Sequence, residues 1–280
     1  MRTTRTFSRA DLMQTPRVSA SSYSNTAPLV WSFLYGQNHG KVELILDNAP
    51  ARSAELLARD HVDAALVPVI AFQTIPDLRL IADVCVGAKE RVRSVCLVTK
   101  SGDLADVRSV ALDVSSKTSV VLTKIIFREF LGFEPRWVDA KPDLEAMLAD
   151  HDAALIIGDP ALEITRENPG SKIRDAKWHD LAEVWHRHTG LGFVFAMWMT
   201  RRGSINIDFA AARDEGLAHI DEIAANYATE IGLSREEMIT YLTENISFSP
   251  DDAMQDGLDL FFRLAEKSGL IPHADQLRFA

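Results

Sequence analysis

Two apolar patterns alternate along the chain: short runs of consecutive apolar residues that read as buried strands, and longer segments with helical spacing. The run Val18 to Ala20 is followed by a polar stretch, Ser21 to Thr26, and then by Pro28 at the head of the apolar segment Leu29 to Leu34. Pro just inside a helix start, with Asn25 and Thr26 before it able to cap, marks a helix N-terminus. The pattern returns as a strand at Ser109 to Leu112, a polar stretch at Asp113 to Ser119, and a helical segment from Val120 to Leu131 closed by Gly132. A second unit also recurs. An amphipathic helix at Ala54 to His61 leads into Asp63-Ala-Ala-Leu and Pro68, and another at Leu144 to His151 leads into Asp152-Ala-Ala-Leu and Asp159. The shared tetrapeptide lies 89 residues apart. Two units in the same order at one offset predict a duplicated α/β lobe, with mainly parallel sheets covered on both faces.

Two further strand-like runs, Val92 to Val98 and Gly192 to Trp198, read as outgoing and returning hinge strands. They divide the chain into lobe one, residues 16–98 with 192–280, and lobe two, residues 99–191, with residues 1–15 expected to be disordered. Residues 203–280 read as helical throughout. Asp208 to Tyr227 is expected to be one amphipathic helix, Ser234 and Glu237 form a capping box, and Ser249-Pro250 opens the last helix. This segment is expected to pack on lobe one.

The 280 residues carry 30 Lys+Arg against 40 Asp+Glu, a net charge of −10, and 47% are hydrophobic. That is ordinary globular composition, and about two domains suit the length. A negative chain without a Lys/Arg-rich run is a poor partner for nucleic acid. No apolar stretch of secretory length follows the N-terminal basic residues, and no run is long enough to span a membrane, so a cytoplasmic location away from membranes is expected. Cys85 and Cys96 sit in apolar strand-like runs and are expected to be buried core thiols. His179, His186 and His188 lie near Trp178 and Trp185 on a segment that reads as helical, and a structural role is expected for them. The chain holds no Gly-rich phosphate loop, no Gly-x-Ser-x-Gly and no metal-ligand spacing, so neither a cofactor nor a metal is expected.

Open α/β sheets bind ligands beyond the carboxyl ends of their strands, which is where both hydroxyl-rich turns fall. Each turn feeds a helix N-terminus, whose free N–H groups and dipole favour an anion. Two such turns on one cleft suit a ligand with an anionic group at either end. The competing reading is that these Ser, Thr and Asn residues only cap helices.

The run Arg17 to Leu29, the Arg93-Ser94-Val95 hinge, Ala111 to Val120, the Ile157-Gly158-Asp159 strand end and Phe193 to Ala196 together resemble a known family. It is that of the menaquinone-biosynthesis enzymes of the futalosine route called MqnA, chorismate dehydratases. The resemblance covers roughly residues 17–200. The chain departs from it at Ala27, usually Lys, and at Val69-Ile70-Ala71, where polar residues are usual. The resemblance implies a type II periplasmic-binding-protein fold, an α/β protein of two lobes joined by hinge strands with a helical C-terminal segment. It also implies catalysis on chorismate, a small dicarboxylate, giving 3-[(1-carboxyvinyl)oxy]benzoate. Asn25 is then expected at the reacting face as the catalytic residue. Ser22, Thr26, Ser94, Ser116, Thr118 and Ser119 are expected to bind substrate, and the substrate's own enolpyruvyl carboxylate to accept the proton. Asp159 is expected at the cleft too, binding substrate or serving as a cap or hinge. Two other readings stand beside this one: the related naphthoate synthase of the same pathway, which should carry a His at the second-lobe turn, and a non-catalytic small-anion binding protein.

Overall fold

The structure is a computed structural model that describes residues 15–100, 102–164 and 176–280. The predicted disordered segment 1–15 therefore lies, but for its last residue, outside the described residues. Its strands are β1 (Arg17–Ser21), β2 (Glu43–Asp47), β3 (Ala64–Pro68), β4 (Arg79–Ala88), β5 (Val95–Thr99), β6 (Ser109–Asp113), β7 (Arg136–Ala140), β8 (Ala153–Ile157), β9 (Lys177–Asp180) and β10 (Phe193–Thr200). The helices of the first lobe are α1 (Ala27–Leu34), α2 (Pro50–Ala58) and α3 (Ala71–Thr74). The second lobe holds α4 (Lys117–Ile125), α5 (Leu144–Asp150), α6 (Asp159–Ile164) and α7 (Leu181–Thr189). The C-terminal segment adds α8 (Phe209–Ala218), α9 (Ile220–Ile231), α10 (Arg235–Thr240) and α11 (Asp252–Lys267).

The duplication seen in the sequence is a duplication of topology. One sheet runs β2-β1-β3-β10-β4 and the other β7-β6-β8-β5-β9, so each strand has a counterpart at the same place in the other sheet. The repeated tetrapeptide has a physical reason. Asp63 accepts a hydrogen bond from the Arg17 amide at 2.8 Å, and Asp152 accepts from the Arg108 and Ser109 amides at 3.0 and 2.9 Å. In each lobe the Asp thus tethers the start of the first strand to the start of its neighbour. The Ala pairs that follow, Ala64-Ala65 and Ala153-Ala154, are fully buried in interior strands covered on both faces.

Several expectations are corrected. The sheets are mixed rather than mainly parallel: β1 runs parallel to β2 and β3 but β10 antiparallel to β3 and β4, while β6 runs parallel to β7 and β8 but β5 antiparallel to β8 and β9. A strand that enters from the opposite lobe starts at the cleft and must run away from it. For the same reason the expected outgoing hinge strand belongs to the second sheet. The first crossing is residues 89–94, a few positions before the predicted boundary at 98. Buried Asp180 holds that crossing, accepting from the Val92 and Arg93 amides while capping α7 through the Ala182 and Glu183 amides. Arg93 takes a left-handed φ of 63° there. His179 lies on β9, not on a helix with His186 and His188.

The helix expected from Asp208 to Tyr227 breaks at His219 into α8 and α9. The cause is α1, around which the chain turns. Gly216 sits directly on the Pro28 carbonyl, and the His219 ring stacks on Trp31 with centroids 3.7 Å apart. Helix α11 packs its Phe261 and Phe262 side on lobe one, and both rings are buried. It also touches lobe two, where Arg128 donates to the Ser268 carbonyl and Lys267 pairs with Glu129. The C-terminal segment thus braces both lobes. Cys85 and Cys96 are buried free thiols.

Candidate active site

The cleft begins where β1 ends. The Thr26 hydroxyl donates to the Ser21 carbonyl at 2.6 Å and to that of Tyr23 at 2.8 Å, folding residues 22–26 into a tight turn before α1. No side-chain hydrogen bond caps α1, so neither Asn25 nor Thr26 plays the capping role their position suggested. In the second lobe Asp113 accepts from the Ser115 amide at 2.9 Å and hydroxyl at 2.6 Å, shaping the turn that leads into α4. Ser116 stands at the N-cap position with extended dihedrals and again makes no side-chain cap. The first-turn amides of a helix have no intrahelical acceptor, which leaves α4 with donors at its open end.

Between these two turns lies a narrow cavity of about 60 Å³. Lobe one contributes Ser21, Tyr23, Asn25 and Thr26, and lobe two contributes Ser116, Thr118, Ser119 and Gly158. Leu66, Val86, Val95, Ile157 and Phe195 form apolar walls. Among the described residues that line it there is no Lys, Arg, His, Asp or Glu. Its polar groups are hydroxyls and one amide.

The sequence matches a family of menaquinone-biosynthesis proteins over residues 16–267. It is 31% identical over 264 residues to the chorismate dehydratase of Thermus thermophilus, covering 89% of this chain and 93% of that protein. This chain belongs to the menaquinone-biosynthesis family. The fold is similar to that of protein AF1704 from Archaeoglobus fulgidus, with a TM-score of 0.72 at 18% identity over 91% of this chain and 98% of that one. It is also similar to the Candida albicans CA3427 gene product, which has the generic periplasmic-binding-protein fold, with a TM-score of 0.65 at 13% identity over 94% and 92% of the chains. The type II periplasmic-binding-protein architecture implied by the sequence is the one adopted.

Around the cavity of this menaquinone-biosynthesis protein the sequence-predicted residues divide. Asn25, Thr26, Ser116, Thr118 and Ser119 converge on it. Ser22 does not: its hydroxyl donates to Asn48 at 3.0 Å, and it lines a separate, outer cavity with Trp31, Tyr35 and Tyr227. Asp159 also faces that outer cavity and is bonded to Ser24, at 2.5 Å from the hydroxyl. Ser94 is fully buried in the crossing, where its carbonyl accepts from the Gly158 amide at 2.7 Å. Ala27 and Val69, the two departures from the family pattern, are buried and do not line the inner cavity.

Three residues that sequence reasoning did not single out matter here. Tyr23 lines both cavities and reaches across the cleft to Gly158. Burial, then the Asp113 charge, push its phenol up to about 12, against an opposing bond from Ser115, so the ring hydroxyl is neutral and a donor. Phe195, on the returning strand, forms a wall. Tyr241, from the turn after α10, is fully buried, and burial pushes its phenol up while the Ser94 and Asn25 side chains oppose that rise. The signal for Tyr23 was present in its own polar turn, whereas Tyr241 sits in a helical pattern that gives no hint of the cleft.

The histidines have structural surroundings. His179 faces the Thr99 hydroxyl at 3.4 Å, His186 the Leu191 carbonyl at 3.2 Å, and His188 stacks on Phe130. Among the described residues no group of His, Cys, Asp and Glu is gathered as metal ligands would be, and no helix is long and apolar enough to cross a membrane.

Proposed function

We propose that this chain is a chorismate dehydratase, a hydro-lyase that takes water from chorismate to give 3-[(1-carboxyvinyl)oxy]benzoate, and that it works in the cytoplasm. The observation that carries the reading is the inner cavity, whose polar lining of hydroxyls and one amide comes from both lobes and includes no ionisable base or acid of ordinary pKa.

A dicarboxylate suits such a lining. Ser116, Thr118 and Ser119 with the open end of α4 hold the ring carboxylate, and hydroxyl donors there combine with the helix dipole. The hydrogen lost sits on the ring carbon that bears the ether, conjugated through a double bond to that carboxylate. Removing it spreads negative charge onto the carboxylate, so these donors bind the transition state more strongly than the ground state. The apolar walls keep water away and strengthen that effect.

With no Asp, Glu, His or Lys in the lining, the substrate's enolpyruvyl carboxylate serves as the base. It accepts the ring proton, the ring hydroxyl leaves, and that proton departs with it as water. The ring becomes aromatic, which drives the reaction. Asn25 donates at the reacting face without adding charge, and the neutral Tyr23 hydroxyl supplies a second donor nearby. A His-based naphthoate synthase would need its base at the second-lobe turn, where this chain has Ser115, Ser116, Thr118 and Ser119.

The test is to incubate the purified protein with chorismate and follow the aromatic product by absorbance and mass. Turnover supports the dehydratase. Tight binding without turnover would overturn it in favour of a non-catalytic anion-binding protein.

A further inference from the structure

The outer cavity is much the larger of the two at the cleft, about 830 Å³, inside the roughly 300–1,000 Å³ of small-molecule sites. Its walls come from both lobes and from α9, which lies against α1 and α6. Four aromatic side chains line it. Trp31 and Tyr35 stand one turn apart along α1 and its end, Tyr227 faces them from α9, and Tyr23 comes from the cleft turn. Trp31 is pinned by its stack on His219, which does not line the cavity, and the Tyr227 hydroxyl donates to the Ser22 carbonyl at 3.5 Å. Tyr35 is left 68% exposed, more than any other large apolar side chain among the described residues.

The charged groups in this lining are of one sign. Asp159 and Glu230 reach the cavity, while no Lys, Arg or His does so among the described residues. The neighbouring charges felt by Asp159 are those of Glu163 and Glu230, both of which disfavour its ionised form, and the Tyr227 phenol is raised by burial and then by Asp159 and Glu230. We propose that the outer cavity binds a small organic cation, an ammonium group on an aromatic or apolar body, seated against Trp31, Tyr35 and Tyr227 and answered by Asp159 and Glu230. A cation is drawn to the electron-rich face of an aromatic ring, and the two carboxylates add to that attraction while the cation relieves their mutual repulsion. A dicarboxylate would meet the same two carboxylates as repulsion. The assignment is independent of the chemistry placed in the inner cavity.

The experiment is a calorimetric titration of the full chain at pH 7 with three probes of nearly one shape: phenethylammonium, 2-phenylethanol and phenylacetate. One equivalent of the ammonium should bind, on the order of tenfold tighter than the alcohol, and phenylacetate should bind most weakly. Tyr35→Leu keeps an apolar side chain but removes the ring, and Glu230→Gln removes one charge; both residues are exposed, so the fold should be undisturbed. Each should weaken the ammonium about threefold, and the two together about tenfold, with the alcohol unchanged. Ammonium binding no tighter than that of the alcohol would overturn the inference. So would wild-type ammonium affinity in both variants, which would mean a cation held loosely by the net negative surface. Tightest binding of phenylacetate would overturn it as well, assigning the cavity to anions.

Discussion

Ser24 on the first lobe is clasped by Asp159 on the second: the Ser24 amide lies 3.1 Å from each carboxylate oxygen, and its hydroxyl lies 2.5 Å from one of them. Asp159 opens α6 at the end of β8, and Ser24 begins the turn that carries Asn25. The clasp therefore spans the cleft beside the candidate site, and it turns the carboxylate away from the cavity where two substrate carboxylates would sit. With Tyr23 against Gly158, and the Ile70 amide donating to the Thr118 hydroxyl at 3.4 Å, it is one of the points at which the lobes meet.

The clasp should make lobe closure depend on pH. Burial pushes the Asp159 carboxyl up to about 6 from its usual 3.8; Ser24 opposes the shift, and the charges of Glu163 and Glu230 add to it. A carboxyl raised on closure favours the closed form fully below about 3.8 and loses that contribution as pH climbs through about 6. Affinity for the aromatic product should accordingly be on the order of tenfold tighter at about pH 5 than at about pH 7. Asp159→Asn, neutral throughout, should flatten the profile. Calorimetric titrations across this range decide it, and an unchanged slope in the variant would remove Asp159 as the source.

Asn25→Asp separates chemistry from folding. Since Asn25 caps no helix, and Asp caps about as well as Asn where a cap is needed, the melting temperature should barely move. A carboxylate here would face a dianion and lose the amide donor, so kcat/KM should fall roughly 100-fold or more. Near-normal turnover of chorismate by this variant would sink the catalytic assignment.

Thr118 and Ser119 are each only 2% exposed, at the first turn of α4. Replacing both by Ala removes two hydroxyl donors from the ring-carboxylate end, at about 1.5–3 kcal/mol for each charge-assisted bond lost. The drop should appear in kcat/KM. Wild-type kinetics would mean that the second-lobe turn does not hold substrate.

Gly216→Ala tests the brace between the C-terminal segment and the cleft. A Cβ at this position would come 1.8 Å from the Pro28 carbonyl oxygen, so α8 and α1 must part. Stability should fall by about 3 kcal/mol, read from the urea midpoint, because neither partner is a flexible side chain. A midpoint unchanged from wild type would mean that the backbone there relaxes freely.

The parts of the fold legible in the sequence are those set by local pattern. Asp63 and Asp152 each stand directly before their own strand, and so they leave the same tetrapeptide in both lobes, although the strand starts they tether lie 46 and 44 residues earlier. What stayed hidden was set by direction and distance. Val92 to Val98 reads as a strand but carries no mark of the sheet it joins, which depends on which way the chain leaves the crossing. The cleft turns were legible because the same order of strand, hydroxyl-rich stretch and helix start occurs in both halves of the chain. Their inner division was not, because side chains on a tight turn point in different directions: Asn25 reaches the inner cavity while Ser22 turns outward to Asn48. Tyr241 was invisible for a third reason, that a buried aromatic at helical spacing looks like any core residue.

The placement of β10 between β3 and β4 bears on the order in which the protein can be built. The second lobe has all five of its strands once Asp180 is made, whereas the first still lacks an interior strand until Thr200 follows. Domains fold largely as units during synthesis. The later half of the duplication is thus free to mature first on the ribosome, and the N-terminal lobe waits, with β3 and β4 unjoined, for the strand that closes its sheet and carries Phe195 to the cavity wall.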